Sequence, residues 1–338
     1  TRDHTPRARA RDAAVATQVR LRLTSGQLIV EPEALGQMRV FTPFHRRWVA
    51  QVARASDRVS TSGSPTPPRM DVPPDLASEP IPDRPSRGGP EARARLLAFA
   101  AGPADRYSAD RDRLDLLGTS RLSADLHFGT LSPLTALATV ESEAFRRQLA
   151  WRDWAAHLLW FDPDAIGDEL PWRDDPDGLR AWQEGRTGYP TVDAAMRQLA
   201  TEGWIANRAR MIVASFLTKD LLIDWRAGAA HFLRQLVDAD VANNRLGWRW
   251  TAGVGPDAAP YVRVLNPVLQ GQRFDPDGRW VRRWVPEVAG LPDALVHQPW
   301  AADQPPRGYP RPIVDHRAAR ERALAAFAAR ARARPPSQ

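Results

Sequence analysis

The sequence predicts a mainly α-helical protein preceded by the remnant of an α/β domain. Three observations carry that prediction. From Glu91 onward, apolar residues recur at i, i+3 and i+4, the spacing that lines one face of a helix. Two β-like runs stand alone near the start, and two lone strands rarely make a stable sheet. Between these regions lies a stretch too rich in Pro, Ser and Gly to build a core.

In chain order, residues 6–19 read as a helix, followed by strand-like runs at Val19–Leu23 and Gln27–Val30. The chain opens at Thr1 in mid-motif, so residues 1–50 are expected to be the tail of an α/β domain. Residues 51–90 are then an interdomain linker, and 91–338 the helical domain. Within it, helical periodicity runs through Leu96–Ala101, Ala144–Trp160, Val192–Ala200, Ala206–Leu222 and Ala229–Val237. Gly185, Gly188, Pro190 and Gly203 punctuate these runs, and an Ala/Arg-rich helix follows from Asp315.

Composition narrows the function classes. The 338 residues contain no cysteine, which excludes disulfides, thiolate nucleophiles and cysteine metal sites. No cluster of metal-ligating residues is expected. There is no membrane-length apolar run and no signal-peptide core, so a cytoplasmic protein is expected. A monomer is expected as well. The net charge of +7 suits a polyanionic partner, although Lys219 is the single lysine among 47 basic residues, a bias that a GC-rich genome also produces. The 13 tryptophans are the stronger signal, since they outnumber the 4 tyrosines and 10 phenylalanines. Nine of them fall between Trp151 and Trp250. Such density suits core filling, base stacking or electron hopping.

The segment from Asp238 to Trp250 joins two carboxylates, two carboxamides and two tryptophans. Apolar packing has no use for Asp-x-Asp before Asn-Asn, because each buried polar group needs a partner. A solvated turn has no use for Trp248 and Trp250. The segment therefore reads as a wall between a polar cofactor and a flat stacking group. Thr119-Ser120-Arg121-Leu122-Ser123 gathers three hydroxyls and a guanidinium, a phosphate cradle or an ordinary helix cap. On the helix opening at Trp204, Asn207, Arg210 and Met211 share one face, expected to point inward. Gln148 and Trp151 share another.

Together these pieces resemble the helical domain of the photolyase/cryptochrome family. The resemblance runs from about Tyr107 to Leu291, through TSRLS (119–123), QLAWRDW (148–154), AWQEGRTGYPTVDAAMRQL (181–199), GWIANRARMIVASFLTKDLLIDW (203–225), DADVANN (238–244) and GWRW (247–250), and on through 257–271. Within the family the chain is most similar to class I cyclobutane pyrimidine dimer photolyases.

The resemblance implies an all-helical domain that binds FAD. It implies that Tyr107, Thr119, Ser120, Arg121, Leu122 and Ser123 hold the FAD phosphates, with Arg152 nearby. Asp238, Ala239 and Asp240 would flank flavin and ribose, Asp238 pairing with Arg210, and Asn244 would face flavin N5. Gln148, Trp151, Asn207, Met211 and Trp250 would surround a dimer flipped out of UV-damaged DNA, duplex or single-stranded. Arg111, Arg152, Arg208, Arg263 and Gln270 would lie along the DNA, where contacts to the backbone suit an enzyme that reads damage. Trp248, Trp225 and Trp172 would carry electrons between flavin and surface. The implied activity is light-driven electron transfer from reduced FAD to the dimer.

Two departures qualify the match. Gln148 stands where dimer photolyases usually carry Glu, as in six-four photolyases; an amide donates a hydrogen bond but gives up no proton. Arg245-Leu246 replaces the usual Asn-Gly. The folate or deazaflavin antenna of the family is expected not to bind, because most of its domain is missing. The rival readings are a cryptochrome-type photoreceptor, a six-four photolyase and an inactive remnant. The lesion wall and the short segment after the core favour dimer repair.

Overall fold

A computed structural model describes residues 27–56, 89–163, 170–256 and 262–333. The expected helix at 6–19, the strand at Val19–Leu23 and most of the linker lie outside these residues.

Every long element of the described residues is helical. α1 spans Phe41–Ser56, α2 Gly89–Ala100, α3 Ser123–Phe128, α4 Pro133–Thr139 and α5 Glu143–Phe161. α6 spans Pro176–Gln183, α7 Pro190–Glu202, α8 Asn207–Ser215, α9 Trp225–Gln235 and α10 Val241–Ala252. α11 (Pro267–Phe274), α12 (Arg279–Trp284) and α13 (His316–Ala333) complete the order. The chain writes these boundaries plainly. Asp175, Asp224, Asp240 and Asn266 each cap a helix through a side-chain oxygen that accepts from the first turn. Proline occupies the first turn of α4, α6, α7 and α11, where its missing N–H costs nothing. Gly203 and Gly253 end α7 and α10 at φ of +64° and +75°.

Three expectations change. Gln27–Val30 is a run of bends rather than a strand. Its backbone N–H groups at Ile29 and Val30 bond instead to the Asp153 carboxylate of α5, at 2.9 and 3.0 Å. The boundary expected at residue 50 falls inside α1, which packs on α5. The long helix expected over Ala206–Leu222 stops at Ser215 and continues as a π-helical turn, Phe216–Asp220, with Trp225 opening the next helix. Leu222, at φ +57°, makes that break.

Two apolar cores result. One centres on α7, α8 and α9, with Trp182, Met196, Leu199, Ile205, Phe216 and Trp248 almost wholly buried. The other joins α1, α2 and α5 through Phe41, Phe44, Leu96, Leu149 and Trp154. Truncating such a buried aromatic typically costs about 3–5 kcal/mol. α10 packs against α5, α8 and α9 and so lies between the two cores. Its polar N-terminal segment is held between them, with Asp238 buried and Asn243 at the surface.

Candidate functional site

The candidate site is built around the N-terminus of α10. Asp238, 6% exposed, receives both bonds of the Arg210 Nη2 group, at 3.0 and 2.8 Å. Arg210 Nε donates to the Ile205 carbonyl at 3.0 Å, which sets the guanidinium plane. Asp240 caps α10, accepting from Asn243 N at 2.7 Å, and lies 3.6 Å from His127 Nδ1 of α3. Burial alone would raise the Asp240 carboxyl, but His127, Asn243 and the Arg152 charge outweigh it and hold the group at about 2. Asp240 is therefore an anion at every physiological pH. One turn further, Asn244 Nδ2 donates to the Ala229 carbonyl of α9 at 3.0 Å, which orients the amide.

The hydroxyl-rich loop, residues 119–123, leads into α3, which carries His127. Arg121 sits at φ +52°, a strained conformation for a residue with a side chain. Its Nη2 donates to Glu202 Oε2 at 2.9 Å, and its guanidinium lies 4.3 Å from the Trp204 ring centroid. The Arg121 Nε is buried with no hydrogen-bond partner. Trp204 Nε1 in turn donates to Ser123 Oγ at 3.3 Å. Thr119 and Ser120 are half-buried beside it, and Leu122 is buried. Tyr107 packs edge-on against Phe99 and Phe145, with the Arg111 guanidinium 6.0 Å from its ring; burial pushes its phenol up. Arg152 spans toward the N-terminal segment, donating to the carbonyls of Gln27 at 2.5 Å and Leu126 at 3.1 Å.

The tryptophans divide in two. Trp248, 2% exposed, meets Phe232 and Trp182 edge-on at 5.0 and 6.0 Å. Trp225 is 7% exposed and Trp172 half-buried, so exposure rises along the series Trp248, Trp225, Trp172. Trp151 and Trp250 are half-buried. Trp151 lies flat on Phe41, ring centroids 3.9 Å apart at 13°.

A polyanionic, aromatic ligand fits these residues. The loop offers hydroxyls and a guanidinium with an unspent donor; the first turn of α10 offers a fixed amide and its last turn a half-buried indole, Trp250.

A family model described as the FAD binding domain of DNA photolyase matches residues 145–329. The chain belongs to the DNA photolyase family. A deoxyribodipyrimidine photo-lyase of Streptomyces griseus is 48% identical over 84% of this chain and 66% of its own length. That of Escherichia coli is 40% identical over 95% of this chain and 76% of its own length. These photolyases therefore extend beyond the residues aligned here. A class III photolyase from Agrobacterium tumefaciens superposes with TM-score 0.84 at 36% identity, covering 98% of this chain and 78% of that one. A Synechocystis cryptochrome superposes at 0.76 with 27% identity, covering 95% and 76%. The helical FAD-binding photolyase fold is thus the fold of the described residues.

The photolyase fold does not gather every expected residue in the expected way. Asn207 is exposed rather than inward, its Nδ2 lying 3.7 Å from Met211 Sδ. Arg208 is held by Asp112 at 2.7 Å and lies over Phe274, which leaves its Nε buried without a partner. Arg263 is exposed, and its carbonyl accepts a bond from Lys219. Gln270 has its Oε1 buried without a partner. Gln148 is half-buried one turn before Trp151, and Ala239 is half-buried between the two carboxylates. A cleft of about 500 Å³ lined by Tyr189, Asn266, Leu269, Trp300 and His316 contains none of the expected site residues.

Sequence reading missed His127, Glu202 and Phe41. The first two act through partners 113 and 81 residues away in sequence, Asp240 and Arg121, and nothing local marks them. Phe41 sits on a helix assigned to the other side of a domain boundary.

Proposed function

We propose that this chain repairs cyclobutane pyrimidine dimers in DNA by light-driven electron transfer, with FAD as cofactor. The observation that carries the reading is the Arg210–Asp238 pair beside the oriented Asn244 amide, within a chain whose named relatives are deoxyribodipyrimidine photo-lyases. Bound FAD supplies light absorption and the electron. The chain does the rest.

Thr119, Ser120, Ser123 and Arg121 have the donors to bind a pyrophosphate, and the unspent Arg121 Nε fits that task. Tyr107, Leu122 and Arg152 border the same loop. Asp238 and Asp240 offer acceptors to ribose and flavin N–H groups, with Arg210 keeping Asp238 from being an unpaired buried charge. Asn244, held through its Nδ2 by Ala229, presents its amide to the flavin edge.

Trp151 and Trp250 wall the lesion, with Gln148, Asn207 and Met211 completing its surround. Stacking is worth roughly 1–3 kcal/mol per base, which offsets much of the cost of unstacking a damaged step. Arg111, Arg208, Arg263 and Gln270 contact the DNA backbone without regard to sequence. Trp248, Trp225 and Trp172 would form a relay of indoles between the surface, where an external reductant could donate, and the bound flavin. We further propose that the chain acts as a monomer.

The test is repair of a thymine-dimer oligonucleotide by photoreduced protein under blue light and in darkness. Light-dependent loss of the dimer is expected. Retained, reducible flavin with no repair would shift the assignment to six-four repair, which Gln148 suits, or to photoreception, which the superposition with a cryptochrome leaves open.

A further inference from the structure

The wall tryptophan Trp151 does not stand alone. Its ring is the end of a column of near-parallel rings contributed by α1. Phe41 lies on Trp151 at 3.9 Å and 13°. His45 lies on Phe41 at 5.5 Å and 25°, and Trp48 on His45 at 6.2 Å and 14°. Phe41, His45 and Trp48 are spaced i, i+4 and i+7, so one face of α1 carries the whole column. Both ends are tied to α5. Trp151 belongs to it, and Trp48 Nε1 donates to Asp153 Oδ2 at 2.9 Å. The Arg147 guanidinium, one turn before Trp151, lies 5.1 Å from the Phe41 centroid.

The burial pattern says which ring is supported and which supports. Phe41 is 1% exposed and Trp48 2%, whereas Trp151 is half-buried. Phe41 also meets Trp154 edge-on at 5.5 Å, and Trp154 meets Trp151 edge-on at 5.1 Å. Trp151 is thereby fixed by a stacked ring on one side and an edge on another. Its remaining surface is the part available to a ligand. An indole backed only by aliphatic side chains could tilt; one stacked on a buried ring keeps its plane, so less ordering is left to be done when a base arrives. Burial, and then the Arg147 charge, push the His45 imidazole down from its ordinary value against the opposing pull of Glu143.

We infer that Phe41 is a positioning residue for lesion recognition: its ring holds the plane of Trp151, so that α1, outside the segment matched by the family model, supplies part of the damage specificity. The inference rests on the proposed role of Trp151 as a lesion wall.

The experiment compares wild type, Phe41→Leu, Phe41→Met, Phe41→Tyr and Trp151→Ala. Each variant is purified with flavin and titrated with a dimer-containing and an undamaged oligonucleotide. A stacked aromatic pair is worth enough beyond burial to change an equilibrium about threefold to tenfold. Phe41→Leu is expected to weaken dimer binding by that factor, with undamaged-DNA affinity and flavin content unchanged. Phe41→Tyr, which keeps the ring, is expected to restore dimer binding. Phe41→Met repeats the test with a flexible side chain of similar volume, so the answer does not depend on one variant folding. Trp151→Ala that lowers dimer preference while neither Phe41→Leu nor Phe41→Met does overturns this inference and leaves the lesion wall standing. Trp151→Ala with unchanged dimer preference overturns both.

Discussion

At the scale of single residues, the site is governed by which charges are paired. Asp238 has a side chain only 3% exposed, while its partner Arg210 is 25% exposed. The pair is therefore asymmetric, and the carboxylate is the member that suffers if the partner is removed. Arg210→Met is expected to destabilise the fold by roughly 3 kcal/mol, because it leaves a buried anion uncompensated. Urea denaturation monitored by tryptophan fluorescence would measure this, and flavin retention should fall in parallel. Asp238 and Arg210 both stood out in the sequence, the first in Asp-x-Asp and the second on a polar helix face, and the family resemblance implied that they pair. His127 was not legible. It reaches Asp240 only because α3 and the N-terminus of α10 are brought together by the packing of both cores.

At the scale of elements, the tightest constraint lies between α9 and α10. A Cβ built on Gly228 would sit 2.1 Å from Trp248 Cη2 and 2.6 Å from Leu217 Cδ2. Gly228 is a helical position where glycine is otherwise unfavourable by about 1 kcal/mol against alanine. Its presence there is explained by the close approach of the indole. Gly228→Ala is expected to lower the melting temperature despite its better helix propensity, and to slow photoreduction of bound flavin by displacing Trp248. Calorimetry and blue-light bleaching of the flavin spectrum would check the two effects. Most helices were legible because caps, prolines and apolar spacing agreed. The π-helical turn at Phe216–Asp220 was not, since its apolar residues continue the spacing of α8; tertiary packing against α13 accompanies the change of winding. The run Gln27–Val30 looked like a strand for a similar reason. Its apolar run is satisfied instead by burial of Leu28, Ile29 and Val30 and by the Asp153 carboxylate, which accepts from the N–H groups of Ile29 and Val30.

At the scale of the whole molecule, α1 is fastened to the helical domain by a buried carboxyl. Burial pushes Asp153 up to about 6, against the pull of Trp48, Val30, Arg152 and Ile29. A carboxyl with a folded-state value raised above its ordinary one binds its proton more tightly when folded, so its ionisation costs stability as pH rises through the interval from about 4 to about 6. His157, one turn on, is pushed down to about 4 by burial and acts in the opposite sense, losing stability as pH falls. The two must be separated by comparison with Asp153→Asn. The stability of the wild type relative to this variant is expected to grow by on the order of 2 kcal/mol as pH falls from 6 to 4, measured by denaturant unfolding. No helix among the described residues is long and apolar enough to cross a membrane. By itself, the sequence determined the helical class and the family, because those depend on local spacing and on short motifs, and the resemblance those motifs carry singled out Arg210, Asp238, Asp240 and Asn244 as candidates. Only the tertiary structure decided that α1 stacks on Trp151, that His127 and Glu202 hold Asp240 and Arg121, and that Asn207 faces outward. Those are contacts across long loops, and the energy that selects them comes from packing two cores against one another, which no local pattern encodes.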